Sequence, residues 1–189
     1  EEKENVVKVV IEDKVEIDQD TFQRNFYTTS SCGVCGKSSI EAIEVQCPVN
    51  ISSLSIDAQL ITELPQKLRK AQTVFEFTGG LHASALFDIE GNIKILREDV
   101  GRHNALDKIV GARLFIESLP LENEILLLSG RASFELVQKA ARAGISIMCA
   151  VGAPSSLAVE LAEKQGITLI GFLKPKSFNV YSHSKRIRD

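Results

Sequence analysis

Ile125-Leu126-Leu127-Leu128-Ser129-Gly130-Arg131-Ala132-Ser133 and Ile147-Met148-Cys149-Ala150-Val151-Gly152-Ala153-Pro154-Ser155 are one device written twice. Each is an apolar run, then a small-residue turn holding a glycine, then a serine that opens a helical pattern. A shift of 22 residues carries Gly130 onto Gly152, Ser133 onto Ser155 and Gly144 onto Gly166. Two successive βα units with the same turn needs explain the echo better than a repeat protein does. Runs that are apolar throughout, as here, belong to parallel strands covered on both faces. The fold class that follows is α/β, with a layered sheet built from βα units.

Outward from this pair the same grammar continues. Residues 167–172 and 179–181 supply the last strands, and 145–151 the full second run. Upstream, residues 74–78 and 81–88 are strand-like, 89–92 is turn chemistry, and 93–96 returns as the second arm of a hairpin. The hairpin makes the sheet mixed. Residues 97–104 read as a dense polar loop before a helix with Leu106, Ile109, Val110 and Leu114 on one face. Residues 57–71 are helical in pattern, with Pro65 expected to bend them. Further upstream, strands are expected at 6–11 and 24–29 and a short helix within 38–45.

In such sheets ligands sit beyond the carboxyl ends of the strands, where backbone N–H groups at helix starts favour anions. Four stretches qualify: 78–82, 97–104, 129–133 and 152–156. They read together as a pocket for a phosphorylated ligand, and they nominate Thr78, Gly79, Gly80, His82, Arg102, His103, Gly130, Arg131, Ser133 and Gly152. Arg102 and Arg131 can each grip phosphate in fork geometry. Each stretch also has a plainer reading. Gly79-Gly80 is a turn, His82 a histidine bonded to backbone, and 97–104 a solvated loop in which Asn104 caps the helix and Asp99 pairs with an arginine.

The chain has 189 residues, 44% of them hydrophobic, so it can bury a core without disulfides or metal. Net charge is −3 with the cations scattered, which speaks against a nucleic-acid partner. No apolar run reaches membrane-spanning length and no signal peptide opens the chain, so no membrane role is expected. The first residue is Glu1 rather than Met, and a preceding segment is expected. Two parts are expected: residues 1–56, a truncated strand and loop segment, and residues 57–189, the α/β domain.

Four cysteines, at 32, 35, 47 and 149, are too few and too uneven for a secreted disulfide framework. Cys149, inside a buried-strand pattern, is expected to be an inert small hydrophobe; Cys47 is ambiguous. Cys32-Gly33-Val34-Cys35 differs in kind, because two thiols at this spacing can share one hydrogen-bonded thiolate. Four readings fit the spacing. A structural zinc site needs four ligands, and the chain has no second C-x-x-C. A redox pair would normally follow a core strand at a helix start. An unreactive loop is the third, and a sulfur relay by thiolate attack on a persulfide the fourth. Spacing alone does not rank relay above redox.

Several of these stretches, in order over residues 25–182, resemble the formate dehydrogenase accessory sulfurtransferase family, FdhD. They are 30–37 around the cysteine pair, Phe77-Thr78-Gly79-Gly80-Leu81-His82, Arg97-Glu98-Asp99-Val100-Gly101-Arg102-His103-Asn104-Ala105-Leu106-Asp107-Lys108, the two turns quoted first, and the tail Gly171-Phe172-Leu173-Lys174 with Phe178-Asn179-Val180-Tyr181.

The resemblance implies a fold similar to cytidine deaminases and a cytoplasmic sulfur carrier required for formate dehydrogenase activity. Such a protein accepts sulfur from a cysteine desulfurase as a persulfide. It passes that sulfur to the molybdenum cofactor, bis-molybdopterin guanine dinucleotide, before insertion into formate dehydrogenase. By resemblance the persulfide falls on Cys32 with Cys35 its partner, and cofactor contact falls on Phe172, Leu173, Lys174, Pro175, Lys176 and Ser177. A guanine nucleotide such as GDP is expected to mimic part of the cofactor, and a homodimer is expected. The alternative is a non-catalytic, cofactor-binding chaperone of formate dehydrogenase. Zinc deamination is disfavoured, since His82 is followed by Ala83-Ser84 and Cys32 is preceded by Ser30-Ser31. The metal-binding signature needs His-x-Glu and Pro-Cys-x-x-Cys, so no metal is expected.

Overall fold

The computed structural model describes residues 8, 10–12, 14, 47–50 and 52–188. Cys32, Cys35, the strand expected over 24–29 and the helix expected within 38–45 lie outside the described residues. Of the strand expected over 6–11, the described Lys8, Val10 and Ile11 are exposed and belong to no strand.

Six strands form one mixed sheet in the order β3-β2-β4-β5-β6-β7. They are β2 (His82–Phe87), β3 (Ile93–Asp99), β4 (Ile125–Leu128), β5 (Ile147–Ala150), β6 (Thr168–Lys174) and β7 (Ser177–Val180). β4, β5 and β6 run parallel, whereas β2 is antiparallel to both its neighbours and β7 is antiparallel to β6. A short β1 (Ile56–Asp57) pairs with β8 (Ile187–Arg188) apart from this sheet. All eight residues of β4 and β5 are buried, as continuous apolar runs require.

Strand alternation divides the core into two. Leu86, Leu126, Leu128, Met148 and Ala150 point to a cluster with α3 (Arg102–Phe115), α4 (Phe134–Arg142) and α5 (Ser156–Lys164). Ala85, Phe87, Leu127, Cys149 and Ile170 point the other way, onto Ile61, Leu64 and Leu68 of α1 (Ala58–Ala71). Each fully buried Leu or Phe contributes roughly 1.5–3 kcal/mol. Cys149 is fully buried, and desolvation pushes its thiol up to about 12, so it packs as a small hydrophobe.

The 22-residue echo has a physical basis. Gly152 N–H donates to the Gly130 carbonyl at 3.0 Å, Ser155 N–H to the Ala132 carbonyl at 3.0 Å, and Ala132 and Pro154 form a parallel bridge. The two turns lie side by side as one miniature ladder. Gly144 and Gly166 both take positive φ (79° and 71°) just after α4 and α5, the left-handed geometry in which glycine closes a helix.

Several expectations are corrected. Residues 74–78 form the helix α2 (Thr73–Thr78) rather than a strand. Their β-branched and aromatic composition favours a strand, but the Glu98 carboxylate accepts the Val74 and Phe75 N–H groups at 3.1 and 3.0 Å and fixes a helix start. Residues 97–104 are not a loop, because β3 runs to Asp99, α3 begins at Arg102, and only Val100 and Gly101 lie between. Gly101, not Asn104, is the N-cap, and Asp99 pairs with Lys108 rather than an arginine. Leu114, placed by its spacing on the buried face of α3, is 62% exposed. α1 continues through Pro65.

At the opposite end of the sheet, Asn50 and Ser52 are pinned across the starts of the parallel strands. Asn50 N–H donates to the Gln165 carbonyl and Asn50 Nδ2 to the Gly144 carbonyl. Arg186 Nε donates to the Ser52 carbonyl.

Candidate functional site

The sheet register brings the nominated turns to one end. His82 starts β2 opposite Asp99, the last residue of β3, while Ser84 lies opposite Leu128, the last of β4. Ser129–Ser133 leaves β4, Val151–Ser155 leaves β5, and the β6–β7 hairpin turns at Pro175-Lys176, all at that same end.

Hydrogen bonds stitch the turns together. Ala83 N–H donates to Ser129 Oγ at 2.8 Å and Ser129 N–H returns to the Ala83 carbonyl at 2.9 Å. Phe172 N–H donates to the Gly152 carbonyl at 3.1 Å. Two glycines are favoured by close approach rather than by φ. A Cβ on Gly130 would stand 3.1 Å from His82 Nδ1, and one on Gly152 would stand 3.0 Å from the backbone of Arg131. Gly130 with His82 and Gly152 with Arg131 are thus in contact.

On the α1 face of this end lies an open cleft of about 450 Å³, lined among others by Arg69, Phe75, Gly79, Gly80, His82 and Ser129. The Arg69 guanidinium sits 4.0 Å from the centre of the Phe75 ring. Around Gly79 the space is open, with no described atom within 4 Å of an added Cβ. The turn at 78–82 was expected at a helix start, where backbone N–H groups gather. It follows the carboxyl end of α2 instead, with Gly79 in the left-handed region at φ 64°. Its polarity is therefore that of carbonyls, which accept donors rather than anions.

The anion-favouring groups lie on the other face. α3 starts at Arg102 and α4 after Ser133. Arg102 Nε is buried with no hydrogen-bond partner among the described residues. Arg131 is exposed. His103 Nε2 lies 3.1 Å from Ser133 Oγ and 3.6 Å from Glu135 Oε2. Ser133 does not cap its own helix, because its hydroxyl is turned to His103; Ser155, its counterpart, caps α5 by accepting the Ala158 N–H. Burial lowers the His103 pKa below the usual 6.5, opposed by Glu135 and aided by Arg102 and Lys139. The imidazole is therefore mainly neutral at pH 7.

Asp99 is held at about 2 by its bond from Lys108, then by those from Gly101 N–H and Asn104 Nδ2. This carboxylate fastens the turn into α3. In the tail segment Phe172 combines positive φ (51°) with 44% exposure, while Lys174, Pro175, Lys176 and Ser177 are exposed. Leu173 is 1% exposed and belongs to the α1-side core, so its side chain does not face a ligand at the surface. Among the described residues no group of three or more His, Cys, Asp or Glu is arranged to hold a metal ion, and no helix is long and apolar enough to cross a membrane.

Sequence reasoning missed Ser129, Glu98, Arg69 and Phe75. Ser129 stands inside the nominated 129–133 stretch, and its hydroxyl, next to Gly130, was the readable signal. Glu98 stands in the polar run 97–104, where nothing local distinguishes a tether from a solvated charge. Arg69 and Phe75 reach the cleft only through tertiary packing.

The profile of the FdhD/NarQ family matches residues 1–188. The chain is 53% identical over 186 residues to the sulfur carrier protein FdhD of Streptomyces avermitilis, covering 97% of this chain and 66% of that protein. Against the Saccharolobus solfataricus protein of the same name, identity is 47% over 164 residues, 87% of this chain and 62% of that one. The chain thus spans just under two thirds of the length of these relatives. A solved chain from Desulfotalea psychrophila, assigned to the formate dehydrogenase accessory proteins, superposes with TM-score 0.70 at 29% identity, over 79% of this chain and 63% of that one.

Proposed function

The chain belongs to the FdhD/NarQ family, and from that premise we propose that it is a cytoplasmic sulfur carrier serving formate dehydrogenase. The observation that carries the reading is the Cys32-Gly33-Val34-Cys35 motif in a chain about half identical to proteins named sulfur carriers.

The Cys32 thiolate attacks the outer sulfur of a cysteine desulfurase persulfide. The donor's S–S bond breaks, the donor leaves as a thiolate, and Cys32 now carries the persulfide, with no net oxidation. Cys35 then attacks Cys32 sulfur. A Cys32–Cys35 disulfide forms and the outer sulfur departs as sulfide, the two thiols having supplied its two electrons. A dithiol reductant resets the pair. The acceptor substrate is the guanylated molybdenum cofactor, which supplies the metal that takes the sulfur.

The carboxyl end of the sheet suits the acceptor's nucleotide arms. Arg102 and Arg131 offer cationic forks to phosphate, and buried Arg102 Nε lacks a partner among the described residues. Gly79 and Gly80 leave room for close approach, and Phe172 presents an aromatic face beside the Gly152 turn. GDP, as part of the cofactor, is expected to bind here.

Reach does not forbid the transfer. Cys47 stands at the far end of the sheet, 15 positions after Cys32. Such a segment spans at most about 50 Å, against roughly 23 Å along a seven-residue strand. We further propose that the protein works as a homodimer and hands the cofactor to formate dehydrogenase.

The test is genetic. In cells whose formate oxidation depends on this protein, Cys32→Ser abolishes the activity. If Cys32→Ser restores formate oxidation as well as the parent while variants at Arg102 and Arg131 fail, the chaperone reading replaces this one.

A further inference from the structure

Glu98 and Asp99 close β3, and strand alternation sends their carboxylates to opposite faces: Glu98 pairs with Ala83, whose side chain faces α1, and Asp99 with His82. Asp99 fastens the turn into α3. Glu98 reaches the other way, into α2. Its Oε2 accepts Val74 N–H at 3.1 Å, and its Oε1 accepts Phe75 N–H at 3.0 Å and Gln72 Nε2 at 3.4 Å.

Phe75 transmits this hold. Its N–H is bound by Glu98, and its carbonyl accepts Gly79 N–H at 2.8 Å. A single residue therefore links the Glu98 carboxylate to the Gly79-Gly80 wall of the cleft. α2 has six residues, no buried side chain and no side-chain cap from its own N-cap residue. So short an element does not hold itself in place. The Glu98 tether sets where α2 ends, and hence where Gly79 and Gly80 stand relative to His82.

We infer that Glu98 is a positioning residue for the nucleotide site. It touches no ligand and acts by holding the Gly79-Gly80 wall. The inference rests on the reading of that end of the sheet as a guanine-nucleotide site.

The experiment uses the whole chain with GDP as probe and compares Glu98→Ala with Asp88→Asn. Asp88 is a control because its carboxylate likewise accepts backbone N–H groups (Glu90 and Asn92), but at the opposite end of β2. In Glu98→Ala, GDP affinity falls roughly ten- to a hundredfold and amide exchange at 79–80 quickens; in Asp88→Asn both stay within about twofold of the parent. A second change, Thr73→Asp on Glu98→Ala, adds a second carboxylate to the first turn of α2, beside Glu76, without a link to β3. It recovers melting temperature but not affinity. Affinity unchanged in Glu98→Ala, unchanged exchange at 79–80, or affinity rescued by Thr73→Asp would each overturn the inference. A parent that binds no GDP defeats the nucleotide reading itself, and this inference with it; the exchange result tells the two failures apart.

Discussion

Gly130 lies against the imidazole of His82, so close that a Cβ at 130 would come within 3.1 Å of Nδ1 and 3.3 Å of Cε1. The contact joins the turn after β4 to the start of β2 and leaves the ring no room on that side. Gly130→Ala therefore displaces the His82 ring by a few tenths of an ångström. GDP titration of the variant should show weakened binding with a melting temperature lowered by only a few degrees. Parent-like affinity would show that His82 does not border the ligand.

Ser129 Oγ accepts the Ala83 N–H at 2.8 Å, at the point where β2 and β4 part. Ser129→Ala leaves that amide without its acceptor, which costs about 1–3 kcal/mol. Chemical denaturation should report that loss, with amide exchange at 83 faster than at 85.

His103 carries the pH dependence of the α3–α4 seam. Its folded-state pKa lies below 6.5, so the unfolded chain binds the proton more readily. Stability therefore falls as pH is lowered through 6.5 toward the folded-state value, and levels off below it. His103→Gln removes this contribution. Melting curves of parent and variant between about pH 7 and pH 5 should differ in slope, the parent's being steeper; parallel curves would contradict the assignment.

Asp99 acts at the acid end with the opposite sign. Its pKa, about 2 against the ordinary 3.8, gives stability that is present above the ordinary value and is lost as pH falls toward 2. Asp99→Asn should lower stability near neutrality, where the parent carries this contribution in full, and flatten the acid limb between about pH 4 and pH 2.

Much of the fold could be read from the chain because its strands announce themselves. Residues 125–128 and 147–150 are apolar without a break, and only burial on both faces explains that. The glycines at 144 and 166 mark helix ends through the φ they require. What the chain concealed depends on partners distant in sequence. The strand-like 74–78 becomes helical because Glu98, more than twenty residues away, binds its amides. The polar 97–104 looked like a loop because β3 and α3 are polar where they meet. The same limit governs the site. Gly79, Gly130 and Gly152 were found from their turns, but their approach to His82 and Arg131 needed the sheet register. Leu173 shows the reverse: a position taken with its neighbours from the family resemblance has its side chain in the core.

The central claim is that position 32 carries transferable sulfur, and intact-mass spectrometry after incubation with a cysteine desulfurase and cysteine tests it most directly. The account predicts one added sulfur atom, mapped to the Cys32 peptide, removed by dithiol and missing from Cys32→Ser. A parent chain that never gains that mass, while still binding GDP, would contradict it.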